Sequence, residues 1–385
     1  MTVIVINAIS VKEGGSLVVL QSLLAEMVAL RPDWQWHVAT NSEARSRLPD
    51  LHNTTFHVYQ EHQYAGWKVR LWYETCLPRL INQVKADLLF SQTNYLPASR
   101  LSCPALLLVQ HAGHFSPVFK HLVDAQLVNL SARISWRLKG HWVKSSVRRA
   151  QRVTVQTAAL ARSIIEATGV PRERLCVIAH GTGQARLREH LPTSPVAGQP
   201  LRIGYITKYG VQKNFAVLFA AVAGLHAQGV KPVLVLTLSP DAPENQAVFE
   251  LARQHGVAEY IENHGELSPA EVDALYSTLH LFVFPSLCES FGFPMLEAMA
   301  HGLPLLIAET DSNIEVAGKA GLTFAPDDAP ALAALIIKLI KQPAWHHACA
   351  QASRERAGHF TWRKAAIETL TLIDTMLTTM PKHAT

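Results

Sequence analysis

The chain of 385 residues is sparing with several features that would narrow its function early. It has five cysteines, at positions 76, 103, 176, 288 and 349, and no CxxC pair. That argues against a disulfide framework or a cysteine-built zinc site, and it fits a reducing cytoplasm. No apolar stretch approaches the roughly 20 residues that a membrane-spanning helix needs. The longest apolar runs, PALLLV, KPVLVLTL and LHLFVFP, are of strand length. The N-terminal MTVIVINAIS carries no positive charge ahead of its apolar run, so it reads as a first buried strand and not as a signal peptide. Nineteen histidines are present, but none shows two-His-plus-carboxylate spacing, and there is no DxD triplet to bridge a metal to a diphosphate. No metal site is expected.

Acidic residues are absent from one stretch. Between Ser131 and Arg152 stand seven bases (Arg133, Arg137, Lys139, Lys144, Arg148, Arg149 and Arg152) and no acid. The net charge of +5 is therefore local, because the remaining residues hold 28 bases against 30 acids. On a helix, Arg133, Arg137, His141, Lys144 and Arg148 fall within about 80° of one another. Trp136 and Trp142 flank them, and Gly140 interrupts the pattern. Such a stripe suits anionic lipid headgroups or a lipid-diphosphate acceptor, although a solvated helix face has the same pattern. Nucleic acid is not expected, since no reading module accompanies the charge.

What is abundant is alternation. The sequence is 49% hydrophobic and 17% charged, and short β-branched runs alternate with helical patterns, as in βαβ units with parallel sheets. Strands are expected near residues 3–7, 36–40, 56–59, 87–91, 106–110, 152–156 and 175–178. A second set is expected near 202–205, 233–237, 260–263, 281–284 and 305–307. Helices are expected at 17–29, 158–168 and from about Pro330 onward. LPTSPVAGQP, residues 191–200, reads as a linker. The expected fold is α/β, with two Rossmann-like domains (residues 1–190 and 201–360) around a cleft and ligands beyond the carboxyl ends of the strands.

The most informative segment is FPSLCESFGFPMLEAMAHGLP, from Phe284 to Pro304. A strand ends at Phe284, and a helix starts near Pro294, where proline suits the first turn. Gly292 permits a sharp turn and a close backbone approach. The N–H groups around Met295 to Glu297 would form an anion site. Glu289 and Glu297 bracket this turn and suit hydrogen bonds from sugar or ribose hydroxyls. Two ordinary solvated glutamates near a helix start would look the same in isolation.

This segment resembles the E-x7-E signature of family 4 retaining glycosyltransferases with the GT-B fold. HGELSPAEVDALYSTLHLFVFPS before it and HGLPLLIAETDSNIEVAGKAGLTFAP after it extend the resemblance over about 65 residues. The resemblance implies that Glu297 binds the nucleotide ribose and Glu289 the hydroxyls of the donor sugar. The backbone at Phe291, Gly292, Phe293, Pro294, Met295 and Leu296 would cradle sugar and diphosphate. The loop Asn263–Leu267, with His264, would touch the base. The helix Thr361–Met380, within a terminal segment 361–385, would return to the first domain.

Three further groups follow from the residues and the resemblance together. GYITKYGVQKNFAVL places Lys208 and Lys213 in a strand-to-helix loop, with Asn214 entering the helix, where two cations suit a diphosphate leaving group. Similar enzymes carry Arg where this chain has Lys208, so bidentate grip is lost there. Gly14 and Gly15 follow the first strand and match the glycine-rich loop that faces the donor diphosphate, although a plain turn would look alike. In LLLVQHAGHFSP, the resemblance implies a histidine near the donor sugar, and His111, closest to the strand end, is favoured over His114, although a histidine satisfied within its own loop would look alike; His180 reads as structural.

The resulting expectation is transfer of a sugar from a nucleotide-diphosphate sugar to a hydroxyl acceptor with retained configuration. No cofactor and no metal are required, and the donor is a substrate. The acceptor would be a surface polysaccharide or a lipid-linked saccharide at the inner face of the cytoplasmic membrane. A soluble glycosyltransferase acting on a small metabolite, or a catalytically silent sugar-nucleotide-binding subunit, fits the same residues.

Overall fold

A computed structural model describes residues 1–60, 66–126, 130–196 and 198–379. The chain forms two compact units, one of Met1–Ser116, Leu127–Gly181 and Thr361–Thr385, the other of Pro117–Gln126 and Thr182–Phe360.

The first unit runs β1 (Val3–Asn7), α1 (Gly14–Leu30), β2 (Gln35–Asn41), α2 (Ser42–Arg45), β3 (Thr54–Tyr59), α3 (Trp67–Gln83), β4 (Leu88–Ser91) and β5 (Ala105–Leu108). After α4 (Pro117–Gln126), which belongs to the second unit, come α5 (Leu130–Arg149), β6 (Arg152–Val155), α6 (Ala158–Thr168) and β7 (Leu175–Val177). The seven strands are parallel in the order β3-β2-β1-β4-β5-β6-β7.

The second unit runs β8 (Leu201–Tyr205), α7 (Phe215–Ala227), β9 (Pro232–Leu236), α8 (Pro243–Gln254), β10 (Ile261–Asn263), α9 (Pro269–Tyr276) and β11 (Leu281–Phe284). It continues with α10 (Phe293–Ala300), β12 (Leu305–Ala308), α11 (Asp311–Ala317), β13 (Gly321–Phe324), α12 (Ala329–Lys341) and α13 (Pro343–Ala357). Its six strands are also parallel, in the order β10-β9-β8-β11-β12-β13.

Counted from its own first strand, each sheet begins 3-2-1-4-5-6, the doubly wound arrangement of dinucleotide-binding folds. Central strands such as β4, β5, β11 and β12 are buried along their whole length, as sheets covered by helices on both faces require. The strand order reverses between β1 and β4 and again between β8 and β11. At these two points the crossovers depart to opposite faces and leave a crevice beyond the strand ends.

Several expectations are revised. Residues 182–190 belong with the second unit and not with the first. Arg188 forms an ion pair with Asp273 and donates its backbone N–H to Ala300 O at 3.0 Å. Arg354 Nη1 donates to Glu189 O at 2.7 Å. Gly14 and Gly15 form the first turn of α1 and are not part of a loop before it. β13 escaped the sequence reading. The last helix, α14 (Trp362–Thr379), packs against α1 within the first unit, with Arg31 paired to Asp374. Met380 and the residues after it lie outside the described residues.

Candidate active site

In the second unit the candidate groups cluster beyond the carboxyl ends of β8 and β11, where the strand order reverses. The loop after β8 carries Lys208 and Lys213, and the loop after β11 carries Glu289. The two loops are stitched together. Leu287 N donates to Gln212 O at 2.9 Å, and Tyr205 Oη, buried at the end of β8, donates to Lys213 O at 3.0 Å. This scaffold places Lys213 Nζ 2.7 Å from Glu289 Oε1, with side chains only 10% and 15% exposed. Ser286 Oγ donates to the same oxygen at 2.6 Å, and Lys213 Nζ stands 5.8 Å from the centre of the Phe284 ring. Two residues 76 apart in sequence thus form one ion pair in a largely dry setting, where a charge left alone would be costly. Lys208 remains exposed on the same loop.

The turn into α10 has a different character. Gly292 has φ +83, and a Cβ there would lie 3.1 Å from Phe284 Cζ, so only glycine fits without strain. Its carbonyl accepts from Met295 N at 3.0 Å and from Leu296 N at 3.3 Å. This revises the expectation that those two N–H groups are open to a ligand: the left-handed turn aims the Gly292 carbonyl at them. The side chains of Met295 and Leu296 are fully buried in the core. Phe291 is buried and packs edge-on against Phe293 and Phe360.

Glu297 lies one turn further on. Tyr276 Oη, at the end of α9, donates to its Oε2 at 3.2 Å, and the backbone of Gln184 bonds to its carboxyl. Burial raises its pKa to about 7, against the opposing pull of those two hydrogen bonds. The structure therefore separates the two glutamates: Glu289 is ion-paired, while Glu297 is held by neutral donors.

His264 joins another network. Its Nε2 lies 2.6 Å from Glu262 Oε1, and Glu262 is gripped by both terminal nitrogens of Arg202 at 2.7 and 2.8 Å. The hydrogen bonds from Arg202 hold the Glu262 carboxyl down at about 2.

In the first unit, the crevice between β1 and β4 is lined by neutral polar groups. Asn7 Nδ2 donates to Ser91 Oγ at 3.0 Å and to Thr93 Oγ1 at 3.2 Å, and Tyr73 Oη lies 2.5 Å from Thr93 Oγ1. Asn41 Nδ2 donates to Ile9 O and Val11 O at 2.9 and 2.6 Å, which fixes the loop ahead of α1. Sequence reading missed this network. Asparagine, serine and threonine at the ends of predicted buried strands were its only signal. Gly14 and Gly15 are both exposed at the start of α1.

His111 is exposed and caps a 3-10 turn (Ala112–Phe115), its Nδ1 accepting from Gly113 N at 3.2 Å. Its ring lies 5.6 Å from that of His114, which stacks on Trp136 of α5 at 4.1 Å. Burial, then the nearby His111, Lys139 and Lys144, lowers His114 to about 4. His180 is buried against Trp362, in keeping with its structural reading.

The basic helix α5 is continuous through Gly140. Arg133 and Arg137 are exposed and Lys144 is half-buried, but Arg148 is partly committed elsewhere, since its Nε donates to Thr168 O at the end of α6 at 3.0 Å. Two apolar side chains, Ile134 and Leu138, stand exposed among these bases. Trp142, on the same helix face as both, is packed against Tyr73 of α3, while Trp67 and Leu71 at the start of α3 are exposed as well.

The family model described as "Glycosyltransferase Family 4" matches residues 13–184, and the one described as "Glycosyl transferases group 1" matches residues 188–356. The O-antigen chain mannosyltransferase B of Escherichia coli is 29% identical over 127 residues, covering 33% of each chain. The MMP alpha-(1->4)-mannosyltransferase of Mycolicibacterium hassiacum is 27% identical over 234 residues, 58% of this chain and 53% of that protein. The matches thus span between a third and about half of these relatives' length. Among solved structures, sucrose-phosphate synthase of Thermosynechococcus elongatus superimposes with a TM-score of 0.72 at 17% identity, over 98% of this chain and 100% of the other. HepE of Anabaena, solved with UDP-glucose, gives 0.70 at 16% identity over 97% and 100%. With one model matching each half of the chain, the chain belongs to the family 4 glycosyltransferases.

Proposed function

We propose that the protein transfers a sugar from a nucleotide-diphosphate sugar to a hydroxyl acceptor with retention of configuration and without a metal ion or cofactor. The observation that carries this reading is the Lys213–Glu289 pair at the point where the strand order of the second sheet reverses. When the donor binds, its diphosphate takes Lys213 and its sugar hydroxyls take Glu289, so both partners of the pair stay compensated. As the bond from sugar to phosphate breaks, negative charge grows on the departing diphosphate, and Lys213 stabilises it, with Lys208 adding charge from the loop. Glu289 orients the sugar through its hydroxyls, and Glu297 holds the ribose. The departing phosphate oxygen itself accepts the proton of the acceptor hydroxyl on the face it is leaving. The chain contributes positioning and charge, with His111 supporting the sugar.

The acceptor in this reading is a polysaccharide or lipid-linked saccharide presented at the cytoplasmic face of a membrane. Support comes from the bases of α5 with Ile134 and Leu138 among them, a combination that suits the interface of an anionic bilayer. No helix among the described residues is long and apolar enough to cross a membrane. Calorimetry with a panel of nucleoside diphosphates and nucleotide sugars, followed by turnover assays with and without chelator, tests the proposal. Donor binding without turnover on any saccharide acceptor would favour a silent subunit. Loss of turnover in chelator, restored by Mg²⁺ or Mn²⁺, would overturn the metal-free mechanism.

A further inference from the structure

We propose that Tyr276 is a positioning residue for the nucleotide, its one hydroxyl proton alternating between Glu297 and the first turn of α10 as Glu297 gains and loses its own proton. The inference rests on the assignment of Glu297 to the ribose made above.

Tyr276 Oη lies 3.2 Å from Glu297 Oε2 and 3.2 Å from the carbonyl oxygen of Pro294. A phenol has a single hydrogen to donate, so it serves one acceptor at a time. When Glu297 is ionised, the charged acceptor wins, and Tyr276 fixes the carboxylate. When Glu297 is protonated, its own O–H donates to the phenol oxygen, and the tyrosine proton turns to Pro294. The same heavy-atom geometry accommodates both arrangements. Tyr276 itself keeps its proton throughout, since burial and then the neighbouring Glu297 raise it well above its ordinary range.

The other carboxylate oxygen is confined as well. A Cβ at Gly183, where φ is +66, would collide with Glu297 Oε1, so the carboxyl fills a slot that glycine leaves open. The remaining groups around it are accounted for. Asp273, one turn before Tyr276 on α9, repels the ionised form. Asp273 is engaged by Arg188 and lies 3.1 Å from His301 Nε2. His301 Nδ1 is 2.9 Å from the backbone oxygen of Glu297, and its ring stacks on Tyr276 at 4.9 Å.

Ribose hydroxyls donate hydrogen bonds, so they select the ionised carboxylate. With Glu297 titrating at about 7 in the free protein, nucleotide affinity weakens as pH falls through that value, and binding near it releases a proton. Removing the tyrosine hydroxyl destabilises the ionised form and moves the midpoint upward.

The test is calorimetry on the full chain with whichever of ADP, GDP and UDP binds wild type best, from about pH 5.5 to 9. The proteins compared are wild type, Tyr276→Phe, Glu297→Gln and the double variant. Tyr276→Phe is expected to raise the midpoint and weaken binding about tenfold near neutrality, with the gap closing at alkaline pH. In the Glu297→Gln background the tyrosine change should have no such effect, and any residual slope belongs to the nucleotide's own phosphate. A uniform loss at every pH, or an unmoved midpoint, would show Tyr276 to be merely structural. Wild-type affinity in Glu297→Gln would instead remove the ribose assignment itself. If Tyr276→Phe does not fold, two measurements decide the matter. Wild-type binding in buffers of different ionisation enthalpy must show proton release that Glu297→Gln lacks, and Gly183→Ala, which displaces Oε1, must also raise the midpoint; failure of either overturns the proposal.

Discussion

The two sheets share a strand order but place opposite chemistry where that order reverses. In the second unit the crevice holds a nearly buried lysine–glutamate pair. In the first unit the equivalent position holds Asn7, Ser91, Thr93 and Tyr73, all neutral and bonded to one another. Topology fixes where a ligand can approach, and side chains decide what it can be. A charged, reversible pair is suited to exchange partners with a diphosphate and a sugar. A closed neutral network is suited to hold strand ends and loops in place.

The sharpest way to break this contrast is to remove the cation of the second crevice. Lys213→Met should lower turnover roughly 100- to 1000-fold, as loss of a group that meets developing charge does, with donor and nucleoside diphosphate affinity also reduced. Steady-state transfer assays and calorimetry check this, and near-wild-type turnover would refute the role. Next come the two glutamates. Glu297→Ala should weaken nucleoside diphosphate and intact donor alike, by about ten- to a hundredfold. Glu289→Gln should barely alter nucleoside diphosphate binding and should reduce turnover more than donor affinity. Equal loss of nucleoside diphosphate binding in both would show the pair to be misassigned.

The first crevice should respond in stability and not in affinity. Thr93→Val removes one of the partners of the Tyr73 hydroxyl, which keeps Asn7 and Ser10, and strands an Asn7 donor in a buried setting, so a loss of about 1–3 kcal/mol is expected in denaturant unfolding. Nucleoside diphosphate affinity should stay near wild type, and a marked loss there would erase the contrast. The smallest effect per residue concerns α5. Replacing Arg133, Arg137 and Lys144 with Ser should weaken binding to anionic vesicles by about 1 kcal/mol per base at low salt, with nucleotide binding intact. Wild type that ignores such vesicles would make the stripe a solvated face.

Much of the fold was legible in the sequence because buried parallel strands read as short apolar runs between turn residues. β13 was missed because Gly321–Phe324 is short and buried only at Phe324, so it lacks that signature. The start of α1 was placed too late because Leu17 is its first buried residue, and the turn before it is polar. Composition marked 191–200 as irregular, but irregular is not unanchored, as Arg188 and Arg354 show for the residues just before it. At the site, local spacing pointed to Glu289 and Glu297, since both flank one turn. It could not show that Glu289 meets Lys213, or that Tyr276 and Gly183 confine Glu297, because those partners are far away in sequence. Expecting open N–H groups at Met295 and Leu296 failed for a local reason, the carbonyl of Gly292.

The placement of α14 bears on how the chain acquires its shape during synthesis. Residues 182–360 carry every strand of the second sheet, only α4 of that unit coming from earlier in the chain, and they can complete the sheet as soon as they leave the ribosome. The first unit is made earlier but finished later, because the helix that covers α1 emerges only after the whole second unit has been translated. Until then α1 lacks its covering partner, and closing the contact spans more than three hundred residues, a slow kind of pairing. A chain cut short before Trp362 should therefore yield an intact second unit beside a first unit with an uncovered apolar flank, prone to capture by chaperones or to aggregation.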